Sequence, residues 1–214
     1  MTRHAQTERQ ALCQTLLDAG PEESTLCSGW TTGDLAAHLV VREGRPDRAA
    51  GVVVNALAER SARAMRQLRE RHSHEEIVEQ IRQGPPKWSP ARVPAIDEQL
   101  NLVEMFVHHE DVLRAHLAAP RRSPSTEFVS ALGDRLALMG PMLFRKVPGV
   151  DIEVVTAVRH QRVRRGNEGD PVVQVHGRPG EVLLFGFGRT AVAEVELIGP
   201  PDAVETLRTA RLGV

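Results

Sequence analysis

Two candidate metal ligands, Glu104 and His108, lie four residues apart in the segment Glu104-Met-Phe-Val-His108. A four-residue step turns about 400° around an α-helix, so the two side chains lie about 40° apart on one face. A carboxylate and an imidazole placed in this way can bind one divalent cation from a single helix. A third candidate ligand, His38, lies 66 residues upstream of Glu104. Three protein ligands leave open coordination positions, which is typical of a reactive metal rather than a structural one.

The residues around this pair allow a metal-bound and a metal-free interpretation. Glu104 and His108 lie at the edge of an apolar helix face, where a carboxylate without a partner is costly. A metal ion would satisfy the carboxylate, and so would a simple hydrogen bond between the two side chains in a metal-free helical protein. Asp111, one turn beyond His108, is placed to accept a hydrogen bond from an imidazole N–H.

The remaining cysteine and histidine residues are weaker candidates. Cys27 precedes the helix start at Trp30-Thr31, so it could lie near a metal, but a small buried hydrophobic residue is the favoured interpretation. His109 and Glu110 point 100° or more away from His108, which excludes them as ligands and predicts surface positions or support of the ligands. The pair His72-Ser-His74 predicts a solvated loop. The other histidines are predicted to be surface or packing residues: His4, His116, His160 and His176.

Composition restricts the function classes. The chain has 214 residues with 27 basic and 28 acidic side chains, so its formal charge of -1 favours neither nucleic acid nor an anionic membrane. Aromatic residues make up 3%, which argues against base stacking, and tyrosine is absent. No apolar run is long enough to span a membrane, and the charged N-terminus does not resemble a signal peptide. We therefore expect a cytoplasmic location, with both cysteines reduced.

The first 149 residues predict a helical domain. Gly20-Pro21 ends a first helix, Thr31-Thr-Gly-Asp34 predicts a capping box, and the stretch 84–95 with its four prolines predicts a loop. Ala119 to Ser125 predicts a linker before a further helix. The predicted helices are Arg3 to Ala19, Thr31 to about Gly44, Ala49 to Arg71, Ser73 to Gln83, Ile96 to about Leu117, and Thr126 to about Arg145.

Residues 150–214 predict a small α+β domain, with the boundary near 149. Asp151 to Val158 is rich in β-branched residues and predicts a strand, His160 to Asp170 predicts a hairpin tip, and Val172 to His176 predicts the returning strand. Pro179 to Gly188 is ambiguous, but proline at the start and glycine at the end favour a helix. A strand from Ala193 and a final helix, Pro201 to Arg211, complete the domain.

Three segments together resemble a known family. Trp30-Thr-Thr-Gly-Asp-Leu-Ala-Ala-His38-Leu and Glu104-Met-Phe-Val-His108-His-Glu-Asp resemble the N-terminal domain of mycothiol-dependent maleylpyruvate isomerase, a DinB-like four-helix bundle. The stretch Val175 to Arg189 is similar to the small C-terminal α+β domain of that family. The resemblance covers nearly the whole chain, and its nearest form is an actinobacterial subgroup of metal-binding relatives.

The resemblance implies residue roles and chemistry. It implies that His38, Glu104 and His108 bind a divalent metal, with zinc favoured and nickel as an alternative. It also implies that mycothiol supplies a thiolate to the metal, and that an arginine of the C-terminal domain, matched here to Arg189, binds substrate. The chain departs from longer isomerases at its C-terminal edge, which leaves the substrate open.

The sequence thus predicts a mainly α protein in which a DinB-like four-helix bundle is followed by a small α+β domain. The preferred function is a metal- and mycothiol-dependent isomerase or thiol S-transferase acting on a small electrophile or carboxylate, with Arg189 or Arg42 neutralising the substrate charge. The partners would be a small-molecule substrate and a low-molecular-weight thiol. The alternative is a non-catalytic metal- or ligand-binding protein. The three ligands do not distinguish it from the enzyme, because both would need them.

Overall fold

The computed structural model describes residues 3–44, 55–115 and 121–213. Within these ranges the protein is mainly helical, with eight α-helices and one four-stranded sheet. The chain divides into two compact units, Met1–Arg121 and Arg122–Val214. This division lies well before the boundary predicted near 149. The sixth helix, Thr126–Leu143, packs on a helix and a strand of the second unit, and its contacts therefore assign it to that unit.

The first unit contains helices α1 to α5. Two of their starts, those of α2 and α4, follow local capping rules: Thr31 and Ser73 each accept a hydrogen bond from a backbone N–H three residues later, and Asp34 and Glu76 complete two capping boxes. A short 3-10 helix, Pro90–Arg92, precedes the last helix. The helices are α1 His4–Ala19, α2 Thr32–Glu43, α3 Asn55–Arg71, α4 His74–Gln83 and α5 Pro94–Leu113.

These bounds agree with most of the helices predicted in the first unit. The helix α5 begins two residues before the predicted Ile96, because proline is well tolerated in the first turn of a helix. Part of the predicted loop 84–95 is therefore helical. Several predictions lie outside the described residues: the helix start near Ala49, the continuation to Leu117 with His116, and the beginning of the linker at Ala119.

The core of the first unit is formed by apolar side chains from four helices. Helix α1 packs against α4 and α5, and α2 packs against α3 and α4. Burial of these side chains positions the polar edge of α5 beside α2, which carries His38. The fully or nearly fully buried core residues are Leu12, Cys13, Leu16, Leu35, Ala36, Leu39, Ile77, Val78, Ile81, Met105 and Val112.

The second unit combines three helices with the sheet. The strand order is β2-β1-β3-β4, in which β1 and β3 are parallel and the other neighbours are antiparallel. The predicted helix at Pro179 and the predicted final helix are both present. The elements are α6 Thr126–Leu143, β1 Asp151–Val155, β2 His160–Arg164, β3 Val172–His176, α7 Pro179–Gly186, β4 Glu196–Ile198 and α8 Pro201–Thr209.

The prediction of a hairpin tip over His160 to Asp170 is wrong. Residues 160–164 form the edge strand β2, and the turn lies at Thr156, whose N–H donates to the Arg159 carbonyl. The polar side chains of β2 pair with acidic side chains of β1, as in the contact of His160 Nε2 with Glu153 Oε2 at 2.8 Å. Such cross-strand charge pairs stabilise a polar edge strand. The strand β3 then pairs parallel to β1 rather than returning beside it as a hairpin.

Candidate metal centre

Helices α2 and α5 bring the three predicted ligands together. The Nε2 atom of His108 lies 3.3 Å from Oε1 of Glu104, and Nε2 of His38 lies 3.5 Å from the same oxygen. The ligand atoms of all three residues lie within 4.8 Å of one another. Leu35 and Leu39 anchor α2 in the core on both sides of His38, so the inward position of this imidazole follows from the packing of α2.

The spacing of these atoms suits a tetrahedral ion. Zinc binds imidazole nitrogen and carboxylate oxygen at about 2.0–2.2 Å, which places neighbouring ligand atoms about 3.3–3.5 Å apart. The distances from the two imidazole nitrogens to Glu104 Oε1 match this length, and they are two of the three edges that these ligands would form. His38, Glu104 and His108 thus form a group that could hold a metal ion, with the His108 side chain 10% exposed and the other two 27% and 21% exposed.

Asp111 determines which nitrogen of His108 faces the centre. The Nδ1 atom of His108 donates to Oδ2 of Asp111 at 2.9 Å, and the Asp111 side chain is fully buried. This hydrogen bond leaves Nε2 directed at Glu104. A carboxylate on the outer nitrogen of a metal-binding histidine fixes its ring orientation and raises its basicity. The predicted role of Asp111 is therefore confirmed in its geometry.

Arg42 holds the carboxylate ligand from the other side. Its Nε lies 2.9 Å from Glu104 Oε1, and its two terminal nitrogens donate to Asn101 Oδ1 at 2.7 Å and to the Leu100 carbonyl at 3.2 Å. This pairing of Arg42 with Glu104 was not predicted from the sequence. The signal was present, because Arg42 lies four residues after His38 and so projects from the same face of α2.

The charges of the centre follow from these contacts. Burial opposes ionisation of Glu104, but the Arg42 guanidinium and hydrogen bonds from both imidazoles outweigh it and hold the pKa of Glu104 well below its usual value. Burial likewise opposes charge on His108, yet hydrogen bonds to Asp111, Cys27 and Glu104 raise its pKa well above the usual value. Burial lowers the pKa of His38 despite Glu104. Without metal, Glu104 is therefore anionic, His108 cationic and His38 neutral near pH 7.

Two residues of the segment before α2 contact this region. Trp30 lies against His38, with ring centroids 5.0 Å apart. Cys27 Sγ lies 3.2 Å from Oδ2 of Asp111, and Cys27, His108 and Asp111 form a second group whose ligand atoms are mutually within 4.8 Å. Cys27 also packs against the apolar core, as the favoured interpretation predicted, but it is half-buried and has a polar partner near the centre.

The neighbouring histidine and glutamate of α5 face elsewhere. His109 is buried, with Nδ1 2.8 Å from Glu8 Oε1 and Nε2 2.8 Å from the Thr15 hydroxyl. Glu110 is buried against Arg114. A surface position for these two residues was wrong, because α1 covers this side of α5. Their exclusion as ligands agrees with the groups found among the described residues, neither of which contains them.

The remaining histidines in the described part of the chain lie outside both ligand groups. His72 contacts Glu76, His74 Nε2 contacts the Leu16 carbonyl at 2.9 Å, and His176 contacts Gln174. His72 is exposed, as the predicted solvated loop requires, but the prediction is wrong for His74, which begins α4 and is half-buried against α1. His160 pairs with Glu153 in the sheet.

Arg189, the predicted substrate-binding residue, belongs to the second unit. It follows α7, is half-buried, and its Nη1 donates to the Phe187 carbonyl at 2.7 Å. Its role toward a substrate stays a prediction.

Comparison with known proteins returned no match: no protein-family model, no curated protein and no solved structure matches this chain. None of the helices in the described ranges has both the length and the apolar character that a bilayer span requires.

Proposed function

We propose that this protein binds one divalent metal ion through His38, Glu104 and His108. The observation that carries the proposal is the convergence of their ligand atoms within 4.8 Å of one another, with both imidazole nitrogens at the edge length of a tetrahedral zinc site from Glu104 Oε1. Two imidazole nitrogens and one carboxylate oxygen suit zinc best, and nickel is the alternative ion. Asp111 accepts a hydrogen bond from His108 and Arg42 pairs with Glu104, and contacts of this kind orient metal ligands.

The proposed activity is that of a mycothiol-dependent isomerase or thiol S-transferase acting on a small electrophile or carboxylate. Three protein ligands leave coordination positions for an exchangeable group. A bound zinc ion lowers the pKa of a coordinated thiol, so that the thiol reacts as thiolate at neutral pH. The resemblance of the Trp30–Leu39 and Glu104–Asp111 segments to maleylpyruvate isomerase supports this choice. It also supports a DinB-like four-helix arrangement in the first unit and a cytoplasmic setting.

The roles of the protein side chains in this proposal follow from their charges. Arg42 keeps Glu104 ionised and places a positive charge beside the centre, which favours an anionic substrate. Asp111 holds the His108 ring so that Nε2 stays directed at the ion. Arg189 is proposed to pair with a substrate carboxylate.

A non-catalytic metal-binding protein is the second candidate, and one observation favours it. Cys27, Asp111 and His108 form a second group that could hold an ion, separate from the group that contains His38 and Glu104. An ion bound by this second group would be held for binding rather than for the thiol chemistry proposed at the first. The nearby Arg42 cation favours the enzyme instead.

Elemental analysis of purified protein tests the metal proposal. We expect about one divalent ion per chain in the wild type and a loss of that ion in His38→Ala. His176→Ala is the matched control, since it removes a histidine of the second unit that contacts Gln174. Equal metal content in the wild type and His38→Ala would contradict the proposal.

Cobalt substitution separates the enzyme from the binding protein. Mycothiol added to the cobalt-substituted protein is expected to produce a thiolate-to-cobalt charge-transfer band, and the zinc protein to turn over maleylpyruvate or a related electrophile. A cobalt spectrum that mycothiol leaves unchanged would favour the non-catalytic candidate.

A further inference from the structure

The segment from Ser24 to Thr31 forms a closed loop that is attached to α5. A β-bridge joins Ser24 and Thr31, and the Trp30 N–H donates to the Cys27 carbonyl at 2.9 Å. The Leu26 N–H donates to the backbone carbonyl of Asp111 at 3.0 Å. The loop is therefore attached to the helical turn that carries the carboxylate partner of His108.

Cys27 extends this attachment to the side chains. Its Sγ lies 3.2 Å from Oδ2 of Asp111, and the same oxygen lies 2.9 Å from Nδ1 of His108. The Cys27 backbone is held in place because its N–H donates to the Thr25 hydroxyl at 3.2 Å. A thiol S–H is a donor and an ionised carboxylate is only an acceptor, so Cys27 and His108 both donate to Asp111.

The distances favour a hydrogen-bonded chain over a second metal position. A zinc ion would separate a sulfur ligand from an oxygen or nitrogen ligand by about 3.6 Å, and a nitrogen ligand from an oxygen ligand by about 3.3–3.5 Å. The observed 3.2 Å and 2.9 Å are shorter and fall within the hydrogen-bond range for sulfur and nitrogen donors. The sulfur thus acts on the centre through its hydrogen bond to Asp111 and its own contact with His108, and not as a ligand.

We propose that Cys27 is a positioning residue of the metal centre, which it serves by orienting Asp111 and through it the His108 ring. This inference rests on the proposed metal binding by His38, Glu104 and His108. It predicts that loss of the S–H donor loosens the ion although Cys27 is not a ligand. Loss of a residue that hydrogen-bonds to a metal ligand typically weakens metal binding by about 10–100-fold. Because Cys27 orients the ligand through Asp111, we expect an effect near the lower end of that range.

The test compares zinc affinities by competition with a chromophoric chelator in four proteins: wild type, Cys27→Ala, Cys27→Ser and Cys13→Ala. We expect about tenfold weaker binding in Cys27→Ala and recovery to within about threefold in Cys27→Ser, whose hydroxyl donates in place of the thiol. Cys13→Ala controls for loss of a thiol, because Cys13 is buried in the core and contacts the Val78 carbonyl. Its affinity should equal that of the wild type, and thermal unfolding of each metal-free variant verifies folding.

A metal-free measurement makes the inference independent of the proposed function. The ring nitrogen NMR signals of His108 in metal-free protein should shift in Cys27→Ala and return toward wild-type values in Cys27→Ser. Unchanged His108 signals and unchanged zinc affinity in Cys27→Ala would overturn the positioning role. Cys27→Ser binding zinc as weakly as Cys27→Ala would also overturn it, in favour of sulfur as a direct ligand. A wild type that binds no metal would refute the proposed function, while the NMR comparison would still decide the role of Cys27.

Discussion

Two adjacent histidines of α5 differ at one ring nitrogen although their surroundings share most features. His108 and His109 are both buried, and each directs Nδ1 at a carboxylate, Asp111 at 2.9 Å and Glu8 at 2.8 Å. They differ at the second nitrogen. His109 Nε2 is occupied by the Thr15 hydroxyl, whereas His108 Nε2 faces Glu104 in the ligand group with His38.

This difference follows from the helical rotation between adjacent residues. A step of 100° directs His109 toward α1, which closes over it with hydrogen-bond partners, and directs His108 toward His38 of α2. Burial and a carboxylate partner therefore do not by themselves identify a metal-binding histidine. The group that faces the other ring nitrogen is what makes His108, and not His109, a candidate ligand.

The largest expected effect is on zinc affinity, and it should distinguish His108 from His109. His108→Ala removes one of three ligands and should lower zinc affinity by more than about 100-fold, which exceeds the effect of removing an outer partner. His109→Ala should change zinc affinity by less than about threefold. It should instead lower the free energy of unfolding by about 2 kcal/mol, because Glu8 and Thr15 lose a buried hydrogen-bond partner.

Chelator competition and urea unfolding of the metal-free proteins measure these two quantities. If His109→Ala lost zinc as completely as His108→Ala while remaining folded, the assignment of the two residues to different regions would be wrong.

A smaller effect on zinc affinity is expected when the carboxylate beside one of these histidines, Asp111 or Glu8, is replaced by an amide. Asp111→Asn should weaken zinc binding by about 10–100-fold, because the amide holds the His108 ring less firmly and lowers its basicity. Glu8→Gln makes the same change on the other histidine and serves as its control. It should leave zinc affinity unchanged and appear only in thermal unfolding. Equal affinities for Asp111→Asn and the wild type would show that Asp111 does not support the ligand.

The smallest effect concerns pH. The pKa of His108 is raised, so its imidazole carries a proton near neutral pH that zinc must displace from Nε2. Zinc affinity should therefore rise with pH by about tenfold per unit below this raised pKa, with release of one proton. A zinc affinity that falls as pH rises would require a group that gains a proton when zinc binds.

Calorimetry in buffers of different ionisation enthalpy measures the proton released. His109→Gln should show the same pH slope as the wild type, since zinc does not displace a proton from that ring. An affinity that is constant between about pH 6 and pH 8 would contradict a cationic His108 in the metal-free protein.

Local rules predicted most helices but not the grouping of elements. The capping box predicted at Thr31 placed the start of α2 correctly, and the helix predicted from Ser73 agrees with α4, whose start has a second capping box. The helix α6 was assigned to the wrong unit, because its place depends on its contacts with β2 and α7. At Gly140 of α6 a Cβ atom would lie 2.7 Å from a side-chain carbon of Val163 in β2, so this close approach requires glycine. The polar strand β2 was missed because its stability comes from cross-strand partners that its own composition does not show.

The sequence by itself determined the Glu104–His108 pair and the position of Asp111, since all three lie within two turns of one helix and helical geometry sets their directions. Only the tertiary structure decided that His38 and His108 face the same oxygen of Glu104, and that Arg42 contacts Glu104 while Cys27 contacts Asp111. It also decided that side chains of α1 bind both ring nitrogens of His109. These contacts join residues from 59 to 101 positions apart, as the Arg42–Asn101 and Glu8–His109 hydrogen bonds show. Their geometry is set by how the apolar faces of α1, α2 and α5 pack, which residue spacing along one helix does not specify.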